Sequence, residues 1–280
     1  MEFHIYFSLF LMDILIFLYF MEDYGVLRKL GVKCLMEKED ILHFLPYLLQ
    51  DLWELGSNPE DMIKLIEKHM STSEKTQILD LACGKGAVTI KIAKNLNINV
   101  TAIDLVPEFI DYAKQKANEF GVDTFCHFKI DDINQAILIE KNYDCVILGS
   151  AGSVLGTPKE TLDKLKLTIK PNGYILIYDV YLLDTAKKEN LKYKDNDYLS
   201  YKQWLNVFSQ SNVRVIDVIP NKKSFKNESN NKSMIKRAHE LINTYPEKKS
   251  IFENFITIQL NGSYDLKNSV VGVTWLLQIV

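Results

Sequence analysis

The chain has 280 residues, 47% of them hydrophobic and 25% charged, and it carries a formal net charge of −3. This length allows one large α/β domain with additions, and the composition is that of an ordinary globular protein. A slightly acidic chain has no global positive field to attract nucleic acid, which argues against a nucleic-acid partner. Its four cysteines show no metal-ligand spacing, so we expect reduced thiols, no bound metal and a cytoplasmic location.

Residues 1–35 contain a strongly apolar stretch, Ile5–Met21. It is short for a membrane span, which needs about 20 residues, and Asp13 lies in its middle. No Lys or Arg precedes it, which argues against a signal peptide. Three interpretations stay open: an extension outside the working protein, whose true start would be Met21 or Met36; a packed apolar helix; or a membrane anchor, the one case in which we expect a membrane partner.

Residues 36–76 predict N-terminal helices. A broad apolar stripe between Ile41 and Trp53 indicates the first helix, and Pro46 is a candidate for its start. The following Gly-Ser-Asn-Pro sequence is a break, with Asn58 as the N-cap and Pro59 as the first residue of the second helix.

The next stretch, ILDLACGKGAVT (residues 78–89), predicts a buried strand, a tight turn with Gly84 and Gly86, and a helix. This is the opening unit of a nucleotide-binding α/β sheet. A dinucleotide site would have a third glycine where Thr89 stands, and the Asp80 carboxylate would repel a pyrophosphate. The same carboxylate would suit the ammonium and sulfonium groups of S-adenosylmethionine (SAM). Asp104 ends the second strand, where it can accept hydrogen bonds from the ribose hydroxyls of either a dinucleotide or SAM. Asp104 therefore does not distinguish the two ligands, and it is Asp80 and Thr89 that favour SAM.

Five segments resemble, in order and spacing, the motifs of the class I SAM-dependent methyltransferases: ILDLACGKGAVTIKIAK, Val100–Ala117, Phe128–Ile133, Tyr143–Gly156 and Leu167–Leu182. The similarity runs from about Leu65 to Leu182, and the chain looks most like a prokaryotic methyltransferase-like group of unsettled substrate. It implies a methyltransferase enzyme with SAM as its cofactor. In this family the third motif carries an acid that reaches the adenine amino group, and Asp132 matches that acid better than Asp131.

The residue pattern and the resemblance together imply a set of cofactor contacts at the ends of the first four strands. These are Asp80, Ala82, Cys83, Gly84, Gly86, Asp104, Leu105, Asp131, Asp132, Ile133 and Gly149.

The fold class expected is α/β and Rossmann-like, with a seven-stranded, mostly parallel sheet, helices on both faces and an antiparallel last strand. We expect an N-terminal extension at residues 1–35, a helical addition at 36–76, and a methyltransferase domain at 77–280 with a helical excursion at about 221–268. The polar run Asn221–Ser233 predicts a loop. Pro171-Asn172-Gly173 predicts a turn in which Gly173 adopts a positive φ.

The sequence says less about the site where a methyl acceptor would bind. Residues 149–153 are all small, which leaves room for a methyl donor and an acceptor, and they lack the Asn-Pro-Pro-Tyr motif of amino-methylating DNA enzymes. Asp179 and Tyr181 end the fifth strand and are candidates for contacting or deprotonating an acceptor; plain packing and capping roles are equally open. The expected function is methyl transfer to an unidentified small-molecule acceptor. The alternative is a non-catalytic regulatory protein that binds SAM or its product S-adenosylhomocysteine (SAH).

Overall fold

The computed structural model describes residues 41–192, 198–221 and 226–280, with side chains in those ranges except at 226–228. The apolar stretch Ile5–Met21 and the two candidate starts, Met21 and Met36, lie outside the described residues. Predictions about them therefore stay predictions.

Seven strands form one sheet in the order β3-β2-β1-β4-β5-β7-β6. Strand β7 runs antiparallel to both β5 and β6, whereas the other pairs are parallel. This topology confirms the expected Rossmann-like fold class with its antiparallel last strand. The strands are β1 Gln77–Leu81, β2 Asn99–Asp104, β3 Cys126–Ile130, β4 Tyr143–Gly149, β5 Ile169–Leu182, β6 Val213–Asn221 and β7 Val270–Ile279.

Helices cover both faces of the sheet, as expected. The described helices are α1 (residues 41–48), α2 Pro59–His69, α3 Ala87–Leu96, α4 Pro107–Phe120, α5 Ile133–Ile139, α6 Pro158–Leu165, α7 Tyr201–Gln210, α8 Lys226–Thr244 and α9 Lys249–Asn268. In the described part of the chain, none of them combines the length and the apolar character needed to cross a bilayer.

Two apolar cores explain how the sheet holds these helices. Successive side chains of a strand point to opposite faces, so Leu79 and Leu81 of β1 enter one core and Ile78 enters the other. The first core packs against α5, α6 and α7, and the second against α2, α3 and α4. The inner strands are buried on both faces, which is the reason that their sequences read as near-continuous apolar runs.

A third apolar cluster joins α1 to the helical excursion. Leu45 and Leu48 of α1 are buried with Met234 of α8 and with Phe252 and Phe255 of α9. The proposed start of the first helix at Pro46 is wrong, because residues 41–48 are already helical. This buried stripe outweighs the low helix propensity of an internal proline.

The loop prediction for Asn221–Ser233 is wrong over most of its length, because α8 already begins at Lys226. Polar side chains at the start of α8 misled the prediction. Helix α8 is anchored by its later residues Met234, Ala238 and Leu241 in the third cluster, and Asn231 donates a hydrogen bond to the Gln259 carbonyl of α9 at 3.3 Å. Tertiary packing therefore holds the polar stretch in the helix.

The expected positive φ falls on Asn172 (φ 62°) and not on Gly173. Asparagine tolerates the left-handed region better than most residues. Gly173 is required for a different reason, since a Cβ there would lie 2.1 Å from Cγ2 of Ile169. Glycine at this position therefore allows a close approach within an irregular part of β5, next to the register shift in its pairing with β4.

Candidate active site

A cleft with ≈ 400 Å³ of empty volume, partly open to solvent, lies at the carboxyl edge of β1 and β4. Ligands of open α/β sheets bind at this edge. Two of the residues that line the cleft are acidic, and none of the described lining residues is basic. The lining residues are Trp53, Glu54, Leu55, Ser57, Asp80, Ala82, Cys83, Gly84, Ala87, Val88 and Gly149.

Asp80 is the buried acid of this cleft, with only 2% of its surface exposed. Its Oδ2 accepts a hydrogen bond from the Thr89 hydroxyl at 2.5 Å, and no basic side chain among the described residues forms an ion pair with it. Burial, with a smaller contribution from the nearby Asp104 charge, raises the pKa of Asp80 to about 7. An acid in this state is neutralised most effectively by a cationic ligand. Thr89, which the sequence marked only as a missing glycine, supplies the supporting hydrogen bond.

Asp104 holds the glycine turn in place. Its Oδ2 accepts a hydrogen bond from the Gly84 backbone N–H at 2.7 Å, and its Oδ1 accepts one from the Val106 N–H at 3.0 Å. Burial nevertheless raises the pKa of Asp104. Each carboxylate oxygen can accept a second hydrogen bond, so Asp104 can hold the turn and a ribose at the same time.

Both glycines of the turn have left-handed backbones, with φ 54° at Gly84 and φ 72° at Gly86. A Cβ at Gly86 would lie 2.8 Å from the Ala113 Cβ of α4, and one at Gly84 would lie 3.0 Å from Leu55 Cδ1. The turn therefore needs glycine for both conformation and space.

The residues predicted to contact adenine follow β3, directly beside Asp104. The backbone N–H of Asp131 donates to the Asp104 carbonyl at 3.1 Å, whereas Asp132 is the N-cap of α5 and accepts from the Asn134 N–H at 2.9 Å. Ile133 is buried in the first core, and Leu105 is 52% exposed. The fold thus brings Asp131 and Asp132 to the Asp104 edge of the sheet, and their assignment as adenine contacts stays a prediction.

Residues 49–58, which we call the strap, cross over the glycine turn. The Lys85 ammonium donates to the carbonyls of Leu49 and Leu52 at 2.7 and 2.6 Å, and Trp53 Nε1 donates to the Lys85 carbonyl at 3.0 Å. Lys85 is only 4% exposed, and burial lowers its pKa to about 8. The sequence did not indicate this contact, which makes one wall of the cleft.

The far end of the strap reaches β4. The Ser57 and Ser150 hydroxyls lie 3.1 Å apart, and Ser150 has a positive φ of 64°. A Cβ at Gly149 would lie 2.0 Å from the Ser57 Oγ, so glycine at the end of β4 makes room for that hydroxyl. Between the two ends, Glu54 of the strap pairs with Lys91 of α3 at 2.6 Å.

Asp179 and Tyr181 lie on β5 but do not line the cleft. Tyr178, which pairs in register with Gly149, belongs to the second core, so its neighbours Asp179 and Tyr181 point to the opposite face of the sheet. Burial raises the pKa of Asp179 to about 7, and its Oδ1 accepts a hydrogen bond from the Val180 N–H at 2.6 Å. Tyr181 packs edge-on against Tyr201 at 5.3 Å. Their role toward an acceptor stays a prediction.

Comparison with known proteins gives both a family and relatives. A family model described as "Methyltransferase domain" matches residues 72–230, more than half of the chain. Probable polyketide synthase 22 of Dictyostelium discoideum is 31% identical over 143 residues, which are 46% of this chain and 6% of that protein. Probable cobalt-precorrin-6B C(15)-methyltransferase (decarboxylating) of Methanobrevibacter smithii is 26% identical over 162 residues, which are 58% of this chain and 82% of that protein. The chain thus spans a small part of the synthase and most of the smaller enzyme.

Among solved structures, a SAM-dependent methyltransferase from Geobacter sulfurreducens in complex with SAH superimposes with a TM-score of 0.70. The match covers 85% of this chain and 98% of that one at 17% sequence identity. At this identity the similarity establishes a shared fold.

Proposed function

Because this chain belongs to the methyltransferase-domain family, as a class I SAM-dependent methyltransferase with SAM as its cofactor, we propose that it transfers the methyl group of SAM to a small-molecule acceptor. The observation that carries the proposal is the buried Asp80 in a cleft beside the glycine turn, with no basic partner among the described residues. A ligand with an ammonium and a sulfonium group matches the charge of that cleft.

The residues present fit this cofactor. Asp80 would hold the ammonium group, the backbone of Gly84 would lie against the methionine part, and Asp104 would accept from the ribose hydroxyls while it holds the turn. Asp131 or Asp132 would accept from the adenine amino group. When bound, SAM supplies an electrophilic methyl group on a positively charged sulfur.

The chain itself would contribute positioning and exclusion of water. The strap lies over the glycine turn and closes the cleft on one side, so that bound groups are held away from bulk solvent. A general base is needed only for an acceptor that arrives protonated. Asp179 and Tyr181 stay the sequence-based candidates for that role, although neither lines the described cleft and both lie on the opposite face of β5 from Tyr178.

Two observations favour a small acceptor over a polymer. The strap lines one side of the cleft. One relative, 82% of whose length this chain matches, is named as a probable cobalt-precorrin-6B methyltransferase. The described free cysteines, Cys83, Cys126 and Cys145, agree with action in the cytoplasm, where thiols stay reduced.

The test is transfer of a labelled methyl group from SAM to components of a metabolite extract, with the Asp104→Ala variant as the matched control. A labelled product that forms with the wild-type chain but not with the variant would support the proposal. If SAH binds but no component of the extract accepts a methyl group, the non-catalytic SAM- or SAH-binding alternative is favoured instead.

A further inference from the structure

The acidic cleft leaves one charged group of the proposed cofactor without a partner. The methionine part carries a carboxylate besides its ammonium, and a carboxylate needs hydrogen-bond donors. The two acids of the cleft, Glu54 and Asp80, would repel it, and no described lining residue is basic. A neutral donor must therefore hold the carboxylate within the cleft.

The Ser57–Ser150 pair can provide such a donor. Both side chains are buried, and their hydroxyls lie 3.1 Å apart. One hydroxyl donates to the other, so one hydroxyl hydrogen of the pair remains available for a ligand. No other described residue accepts a hydrogen bond from either hydroxyl.

The serine pair also lies close to Asp80, on the same face of the sheet. Asp80 of β1 is in register with Ile147 of β4, and Gly149 follows two residues later on the same face. Strand spacing and rise place the Asp80 and Gly149 Cα atoms about 8 Å apart. The Ser57 Oγ lies 2.0 Å from the position of a Gly149 Cβ, so the hydroxyl and the Asp80 carboxylate line the same cleft.

Several other donors near the cleft are already used. Trp53 Nε1 donates to the Lys85 carbonyl, and the Cys83 thiol donates to the Gly84 carbonyl. The N–H groups of Glu60 and Asp61, at the start of α2, both donate to the Asn58 side chain. Among the side-chain donors of the described cleft lining, the hydroxyl pair is thus the one left open, beside the backbone N–H groups of Ala87 and Val88 at the start of α3.

We propose that Ser57 and Ser150 form the subsite for the carboxylate of the methionine part of SAM and SAH. The subsite rests on the proposed function. Asp80 and the hydroxyl pair would then recognise the two charges of the amino-acid group from opposite sides. The strap would take part in cofactor binding through Ser57, in addition to covering the turn.

The experiment compares three ligands by isothermal titration with the full chain: SAH, decarboxylated SAH, and methylthioadenosine, which lacks the whole amino-acid group. The variants are Ser57→Ala, Ser150→Gly and the double variant that carries both, with glycine at residue 150 because it accepts the positive φ there. Ser153→Ala is the matched control, since Ser153 lies in the same loop and its buried hydroxyl has no hydrogen-bond partner among the described residues.

We expect the double variant to bind SAH about tenfold or more weakly, because the hydrogen bond to a charged group is lost, and to bind the two carboxylate-free ligands within about twofold of wild type. Each single variant keeps one hydroxyl, so its SAH affinity should lie between those of the double variant and wild type. The control should bind all three ligands as wild type does. Equal weakening of the double variant for all three ligands, or its unchanged SAH affinity, would overturn the subsite. Failure of the wild-type chain to bind any of the three would instead refute the proposed function.

Discussion

Substitution of Asp80 by Asn tests whether the buried acid is kept for its ligand at the expense of stability. Burial raises its pKa from 3.8 to about 7. The folded state therefore holds this proton more tightly than the unfolded chain between those two values, and the free energy of unfolding falls as the pH rises through that window. A shift of about three pKa units corresponds to about 4 kcal/mol, all of it present above pH 7.

Asp80→Asn removes this penalty and keeps the shape of the side chain, and its amide oxygen can still accept the hydrogen bond from Thr89. The variant is expected to be more stable than wild type at pH 8, by up to about 4 kcal/mol, and equally stable near pH 4. Thermal denaturation at both pH values measures the difference. A variant that is less stable than wild type at pH 8 would contradict the reasoning.

Binding should change in the opposite direction. The ammonium group of SAH favours ionised Asp80, so the wild-type affinity should fall about tenfold between pH 7.5 and pH 6, as the ionised fraction falls. The Asn variant should bind more weakly at every pH and show no such dependence. Isothermal titration of both proteins gives the comparison. Any change in the protonation of SAH itself affects both proteins alike and so cancels in the comparison. Parallel pH profiles would show that Asp80 does not contact the ligand charge.

Three further substitutions address the turn and the strap. Asp104→Ala should weaken SAH binding by about tenfold to a hundredfold in isothermal titration, because the ribose contacts and the acceptor of the Gly84 N–H are lost together. Wild-type affinity would refute the ribose assignment. Lys85→Met leaves the Leu52 carbonyl without its donor and the Leu49 carbonyl with only the Leu52 N–H. The strap should therefore exchange its amide hydrogens faster, and the free energy of unfolding should fall by about 2 kcal/mol. Unchanged exchange at residues 49–58 would contradict this. Gly149→Ala places a Cβ 2.0 Å from the Ser57 hydroxyl, so it should displace the strap. The free energy of unfolding, measured in a denaturation series, should fall by about 1–3 kcal/mol, and SAH should bind more weakly. A variant as stable and as tightly bound as wild type would show that the strap moves aside without cost.

The helical excursion shows where sequence reasoning about the fold reached its limit. The expected helical excursion at about 221–268 holds α8 and α9, and the buried apolar residues of α9 and of the later part of α8 recur at helical spacing. The polar first turns of α8 carry no such spacing, and their helical state depends on packing against α1 and α9. Gly173 shows the same limit at a single residue, because its requirement comes from a contact with Ile169 and not from its own φ.

The sequence by itself determined the Rossmann-like fold, the glycine turn and the places of Asp80 and Asp104 in β1 and β2 beside that turn, since these depend on short motifs in which strand, turn and helix follow one another directly. Only the tertiary structure decided how the cleft is walled. Lys85 meets carbonyls 33 and 36 residues away, and Ser57 meets Ser150 across 93 residues. Such contacts leave no periodic or spaced signal in the chain, because they form between surfaces that folding brings together.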